Sequence, residues 1–99
     1  MIKLAITSDK AQAVTRSFDQ SSVVIGGENS PFADVKLPGL SLQDKHVAIS
    51  RQGQEDFPIY TVTNLANDPF VTLNNLPFGK QPIHYHDVIK IGEITLVFE

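Results

Sequence analysis

The chain has 99 residues, of which 41% are hydrophobic, and a formal net charge of −3 at pH 7. That length supports one modest core and not two, and the hydrophobic share argues against disorder. The eight basic residues are scattered (Lys3, Lys10, Arg16, Lys36, Lys45, Arg51, Lys80 and Lys90), which removes the concentrated cationic footprint that nucleic-acid binding needs. Cysteine is absent, so thiol catalysis and disulfides are excluded, which fits a reducing compartment or simply a domain that needs no staple. No apolar run approaches the roughly 18 residues of a membrane span, and the opening MIKLAITSDK is not built like a secretory leader.

Apolar residues come in short runs rich in β-formers, spaced roughly 8 to 12 residues apart, the cadence of a sandwich or barrel. Ile2, Leu4 and Ile6 alternate with Lys3, Ala5 and Thr7, which predicts a half-buried first strand followed by a polar turn at 8–10. A weaker strand at 13–18 has Val14 and Phe18 as its bulky members, and 19–21 turn the chain. Residues 22–25 form a compact apolar strand ending in Gly26-Gly27, a pair that permits a sharp turn or close backbone approach. A loop at 28–32 follows.

The stretch ADVKLPGLSLQDKHVAI, 33–49, organises the rest. It reads as a strand at 34–37, a surface loop at 38–45 and a strand at 46–52, with Val35 and Leu37 on one parity and Val47 and Ile49 on another. Pro38-Gly39 breaks the first strand. His46 stands where the loop returns to the sheet, a good position from which to present a binding surface. Beyond it, 53–56 read as a polar hairpin connection. Phe57–Asn64 read as a strand with Ile59, Thr61 and Thr63 on one face and Tyr60 and Val62 on the other. A loop at 66–69, a short strand at 71–73, a left-handed turn at Asn74-Asn75, and an edge hairpin at 77–82 come next. Two strands about Gly92-Glu93 close the chain, the second alternating Ile94, Leu96 and Phe98 with Thr95 and Val97. The fold class expected is all-β, with about ten strands and no obligatory helix.

Four stretches in this order resemble the forkhead-associated (FHA) domain: Val24-Ile25-Gly26, then 33–37, then His46-Val47-Ala48-Ile49, then Asp87 through Gly92 with the strand to Phe98. Asn64-Leu65 is similar to the pair that opens the family's last recognition loop. The resemblance runs from Leu4 to Phe98 and implies a single FHA-type β-sandwich of about ten to eleven strands over 1–99, serving as the N-terminal module of a longer protein. It implies structural roles for Gly26, Asp34, His46, Leu65, Asp87 and Gly92.

The family reads phosphothreonine through an arginine with hydroxyl and amide donors. Residue by residue, that grip does not carry over. Gly27 stands where the arginine is expected, Gln43 where a serine is, Asp44 where a basic residue is, and Pro69-Phe70 where an Asn-Gly pair is, with Asn67 close by. An aspartate about 4 Å from a second negative charge repels it by on the order of 1–4 kcal/mol. Only Lys45 and Arg51 could compensate, by swinging into the site. Phosphopeptide is therefore disfavoured. The expected partner is a protein or a second copy, met by loops bearing Gly27, Gln43, Asp44, Lys45, Asn67 and Phe70. The alternative is a phosphothreonine reader with a rearranged site. The loss pattern resembles the cytoplasmic FHA-like modules of bacterial secretion machines, type III inner-membrane rings and type VII membrane ATPases. It implies a non-catalytic assembly role at the inner face of that membrane, with any anchor outside this domain.

Other constellations have simpler readings. His84-x-His86 with Asp87 could form half a zinc site, but no fourth ligand is signalled and the stretch reads as a turn. His46 could act as a base, yet no nucleophile stands beside it. Gly26-Gly27 lacks the Lys-Ser/Thr ending of a nucleotide loop. No metal, cofactor or catalytic residue is expected. Of Phe32, Phe57, Phe70 and Phe78, two or three should cap the core and one should anchor a partner.

Overall fold

Period-two patterning runs through the whole chain, and each apolar parity has found a sheet face. The computed structural model describes residues 1–8, 11–39, 42–54 and 56–99. Among them are eleven strands and no helix: β1 (Ile2–Ser8), β2 (Ala11–Phe18), β3 (Ser22–Gly27), β4 (Val35–Leu37), β5 (Val47–Gln54), β6 (Phe57–Asn64), β7 (Thr72–Leu73), β8 (Leu76–Pro77), β9 (Lys80–Pro82), β10 (Val88–Ile91) and β11 (Ile94–Phe98). They form a six-stranded sheet ordered β2-β1-β11-β10-β7-β8 and a five-stranded sheet ordered β4-β3-β5-β6-β9.

Registers match the parities. Leu4 opposes Phe98 and Ile6 opposes Leu96 in the first sheet, while Val23 opposes Ile49 and Ile49 opposes Val62 in the second. These side chains lie in the core between the sheets, and all but Ile6 are fully buried. Each large apolar side chain so buried contributes about 1.5–3 kcal/mol. The alternation within Phe57–Asn64 holds, with Tyr60 and Val62 inward and Ile59 outward. Asn74 and Asn75 have φ of 52° and 71°, the left-handed pair of a two-residue hairpin turn joining β7 to β8. Gly92 turns β10 into β11 at φ 60°.

The segment expected to be an edge hairpin at 77–82 is not one. β8 pairs with β7 in one sheet and β9 with β6 in the other, so Phe78 and Gly79 carry the chain across from layer to layer. Pro77 and Pro82 still place both strands at sheet margins, as the missing donors require. β5 begins at Val47 rather than His46, and its ladder with β6 continues to Gln54 opposite Phe57. The expected turns at 8–10 and 53–56 and the loop at 38–45 lie partly outside the described residues.

The topology gathers three connections at one end. β3 and β4 run parallel, with Gly27 beside Leu37, and β5 starts and β6 ends at that same level, Val47 opposing Asn64. The connections after β3, β4 and β6 therefore share one rim.

Candidate functional site: the loop rim

The rim begins with glycine. A Cβ on Gly26 would overlap the Asp44 carbonyl oxygen, and one on Gly27 would sit 2.9 Å from the Leu42 carbonyl oxygen. The backbone of 42–44 thus lies directly on the end of β3. Gly27 N–H donates to the Gln43 carbonyl at 3.1 Å, and His46 N–H to the Ile25 carbonyl at 2.9 Å.

Ser30, buried at 2% exposure, ties the first loop to the second. Its hydroxyl donates to the Asp44 carbonyl at 2.8 Å and accepts the N–H groups of Phe32 and Ala33, both at 3.1 Å. His46, also buried, ties the second loop to the third. Its Nδ1 accepts the Gln43 N–H at 3.2 Å, which leaves the ring proton on Nε2, 3.0 Å from Asp68 Oδ2. Asp68 Oδ1 accepts the Phe70 N–H at 2.9 Å. That backbone donor, and then the His46 ring, hold the Asp68 carboxyl below its usual range, so it stays ionised. Asn64 completes the frame: its amide nitrogen donates to the carbonyls of Asp68 and Phe78, and its amide oxygen accepts the Asp68 N–H.

The residues singled out in the sequence fall as follows. Gly27, Gln43, Asp44 and Lys45 meet at the β3 and β4 connections, and Asn67 and Phe70 stand on the neighbouring loop that Asp68 fastens to His46. Asn67 holds φ 52°. Phe70 is 84% exposed and Phe32 58% exposed, and the Lys45 ammonium lies 5.0 Å from the centre of the Phe32 ring. Leu65 is exposed and adds apolar surface to the rim. Asp34 accepts from Val24 N–H and from the Gln20 side chain. Asp87, far along the chain, accepts from His84 N–H and from Asn74. Arg51 does not reach the rim. It opposes Tyr60 in mid-ladder, and its N–H bonds the Ser21 carbonyl beyond the start of β3, at the other end of the sheet. Of the fasteners, Ser30 and Asp68 were not picked out in the sequence, whereas Asn64 was, in the pair Asn64-Leu65. The available signal for Asp68 was an aspartate two residues before a loop phenylalanine, the spacing at which its side chain caps a backbone N–H.

Among the described residues no group of three His, Asp or Glu side chains is placed to hold a metal. His84 and Asp87 approach to 3.7 Å on the surface. A separate hollow of about 550 Å³ opens between Phe57, Tyr60, Tyr85 and Phe98, with Asp56 and His84 among its walls. It lies on the half of β6 away from the rim. Tyr85 stacks on Phe98 at 5.4 Å, and Tyr60 meets Phe98 edge-on at 5.0 Å, so these rings serve as a lid on the core.

No family model matches the chain, and no curated protein does either. Solved structures do match, across essentially the whole chain. The FHA domain of the CT664 protein from Chlamydia trachomatis is 15% identical, covers 98% of this chain and 94% of its own, and superposes with a TM-score of 0.78. The FhaA FHA domain, solved in complex with the intracellular domain of Rv3910, is 22% identical with full coverage of both chains and a TM-score of 0.77. An FHA domain solved in an analysis of phosphothreonine-dependent interactions is 22% identical, covers 98% and 95% of the two chains, and gives a TM-score of 0.74. With two sheets of the same architecture, loops at one rim and identities this low, the chain has the forkhead-associated fold in a divergent sequence.

Proposed function

We propose that this chain is a non-catalytic protein-interaction module that engages its partner through the rim by contact area and not by gripping a phosphate. The observation that carries the reading is the ionised Asp68 carboxylate fastened to His46. It puts a fixed negative charge beside the loops where a phosphate reader needs cations. Glycine at 27 and aspartate at 44 point the same way. Phe70, Phe32 and Leu65 supply apolar area in its place, and aromatic anchors are the side chains that carry most interface energy. Similar domains occur in complexes: one with a partner's intracellular domain, another in phosphothreonine-dependent binding. A role on the cytoplasmic side of a bacterial secretion assembly belongs to the same proposal and rests on the resemblance in loss pattern.

The test is a binding selection from matched threonine and phosphothreonine peptide libraries. Binders should come from the unmodified set and lose at least about tenfold in affinity with Phe70→Ala, the scale of a hot-spot residue. Binding that requires phosphate and disappears with Lys45→Ala would overturn the proposal in favour of a rearranged phosphothreonine reader.

A further inference from the structure

β2 is the outer strand of the six-stranded sheet, and among the described residues no further strand pairs with it. Its side chains from Ala13 to Ser17 are exposed on both faces. On the core side Phe18, Arg16 and Val14 oppose Ile2, Leu4 and Ile6. Ile2 and Leu4 are fully buried, whereas Val14 is 56% exposed, so the strand carries the core-facing surface out beyond the second sheet. Among the described residues its far edge has no strand partner, and such an edge presents a row of backbone donors and acceptors.

The remaining edges are guarded. β4 has three residues, with Lys36 at its centre. β8 has two and includes Pro77. β9 has three and includes Lys80 and Pro82. Short length, lysine and proline are the usual means of keeping an edge from pairing. β2 has eight residues, AQAVTRSF, with no proline. Among its described side chains Arg16 is the only charge. The register irregularity with β1 falls between Ile6 and Ser8, which leaves the ladder from Val14 to Phe18 regular.

We propose that β2 pairs with β2 of a second copy of this chain, antiparallel about a two-fold axis through Thr15. In that register the strand pairs with itself without setting like charges of its described side chains opposite each other. Val14 faces Arg16 of the second copy, Ala13 faces Ser17, and Thr15 faces itself, a favourable cross-strand pair. An axis through Arg16 would instead set two guanidinium groups opposite each other. Each Arg16 lies 5.1 Å from the centre of its own Phe18 ring. Because the contact is isologous it uses up both β2 edges and closes at two. One strand pair covers less than the roughly 1,000 Å² that a stable interface clears, so the dimer is weak and concentration-dependent. This surface is separate from the rim, and its test leaves the rim reading untouched.

Sedimentation equilibrium of the chain up to about 1 mM should give a reversible monomer–dimer equilibrium. Val14→Lys sets a cation against Arg16 twice and should weaken the dimer. Val14→Glu makes two ion pairs and should strengthen it. At ordinary cross-strand pair energies, two symmetric pairs amount to roughly a two- to thirtyfold change in the dissociation constant. The exposure of Val14 keeps both variants folded, which circular dichroism checks. Should Val14→Lys fail to fold, Arg16→Glu alone and combined with Val14→Glu provides the same contrast, the double variant dissociating. A chain that stays monomeric at about 1 mM, or a dimer indifferent to both charge changes, overturns the proposal.

Discussion

The His46 ring nitrogen Nε2 lies 3.0 Å from the Asp68 carboxylate, although twenty-two positions separate the two residues in the chain. With Gln43 N–H on the other ring nitrogen, the imidazole joins two loops and has no lone pair left for a partner. The pair is a strut, and the behaviour of the rim follows from it.

Acid should loosen the strut from the carboxylate side. Asp68 has a lowered folded pKa, against about 3.9 in an unfolded chain. A group depressed in this way contributes stability above its unfolded value, and the contribution is lost as pH falls through the folded one. Urea midpoints measured downward from about pH 6 should therefore drop below about pH 4 in the native chain, and Asp68→Asn should flatten part of that fall. An identical acid limb in both proteins would show that the carboxylate is not coupled to folding.

Ser30→Ala removes one donor and one shared acceptor from a buried site, leaving the Asp44 carbonyl and the Phe32 and Ala33 N–H groups without their side-chain partner. A cost of about 1–3 kcal/mol is expected, read from denaturant midpoints. Ser30→Thr, which keeps the hydroxyl, should recover part of it.

Gly27→Arg would supply the side chain that phosphate-gripping FHA domains are expected to carry there, but its Cβ would meet the Leu42 carbonyl oxygen at 2.9 Å. That neighbour is backbone, so the loop must shift. The variant should lose about 1–3 kcal/mol of stability and gain no phosphopeptide affinity by titration calorimetry. A stable variant that binds phosphothreonine peptides would mean that the loop yields easily.

Phe70→Ala and Phe98→Ala should behave as opposites. Phe70 is largely in solvent, so its loss should leave stability within about 0.5 kcal/mol while weakening partner binding. Phe98 is 1% exposed and holds both Tyr60 and Tyr85, so its truncation should cost about 3–5 kcal/mol. Thermal unfolding separates the two.

Strand parity was legible because burial acts on every second residue: Ile94, Leu96 and Phe98 declare their face without help from anything distant. Asn74-Asn75 was legible because few residues accept two successive left-handed conformations. The segment at 77–82 was misread as a hairpin because proline announces a margin without saying whose. Two short strands separated by Phe78 and Gly79 look the same whether they pair with each other or with different sheets. Arg51 was kept as a candidate cation for the same reason. Its distance from the rim is set by the β5 and β6 register, and only the paired strands reveal that. Ser30 and Asp68 stayed hidden because each reaches a group on another loop, the Asp44 carbonyl and the His46 ring, and no periodicity records such contacts.

Asn64 has a second attachment, to the crossover that carries the chain from β8 to β9. Its N–H and its side-chain amide reach the carbonyls of Gly79 and Phe78. The seam between the two layers is therefore latched from the same residue that frames the third loop. Any ligand that immobilises this loop should also lengthen the lifetime of the closed sandwich, so that occupancy at one end would be felt as slower amide exchange at Lys80 and Gln81 of β9.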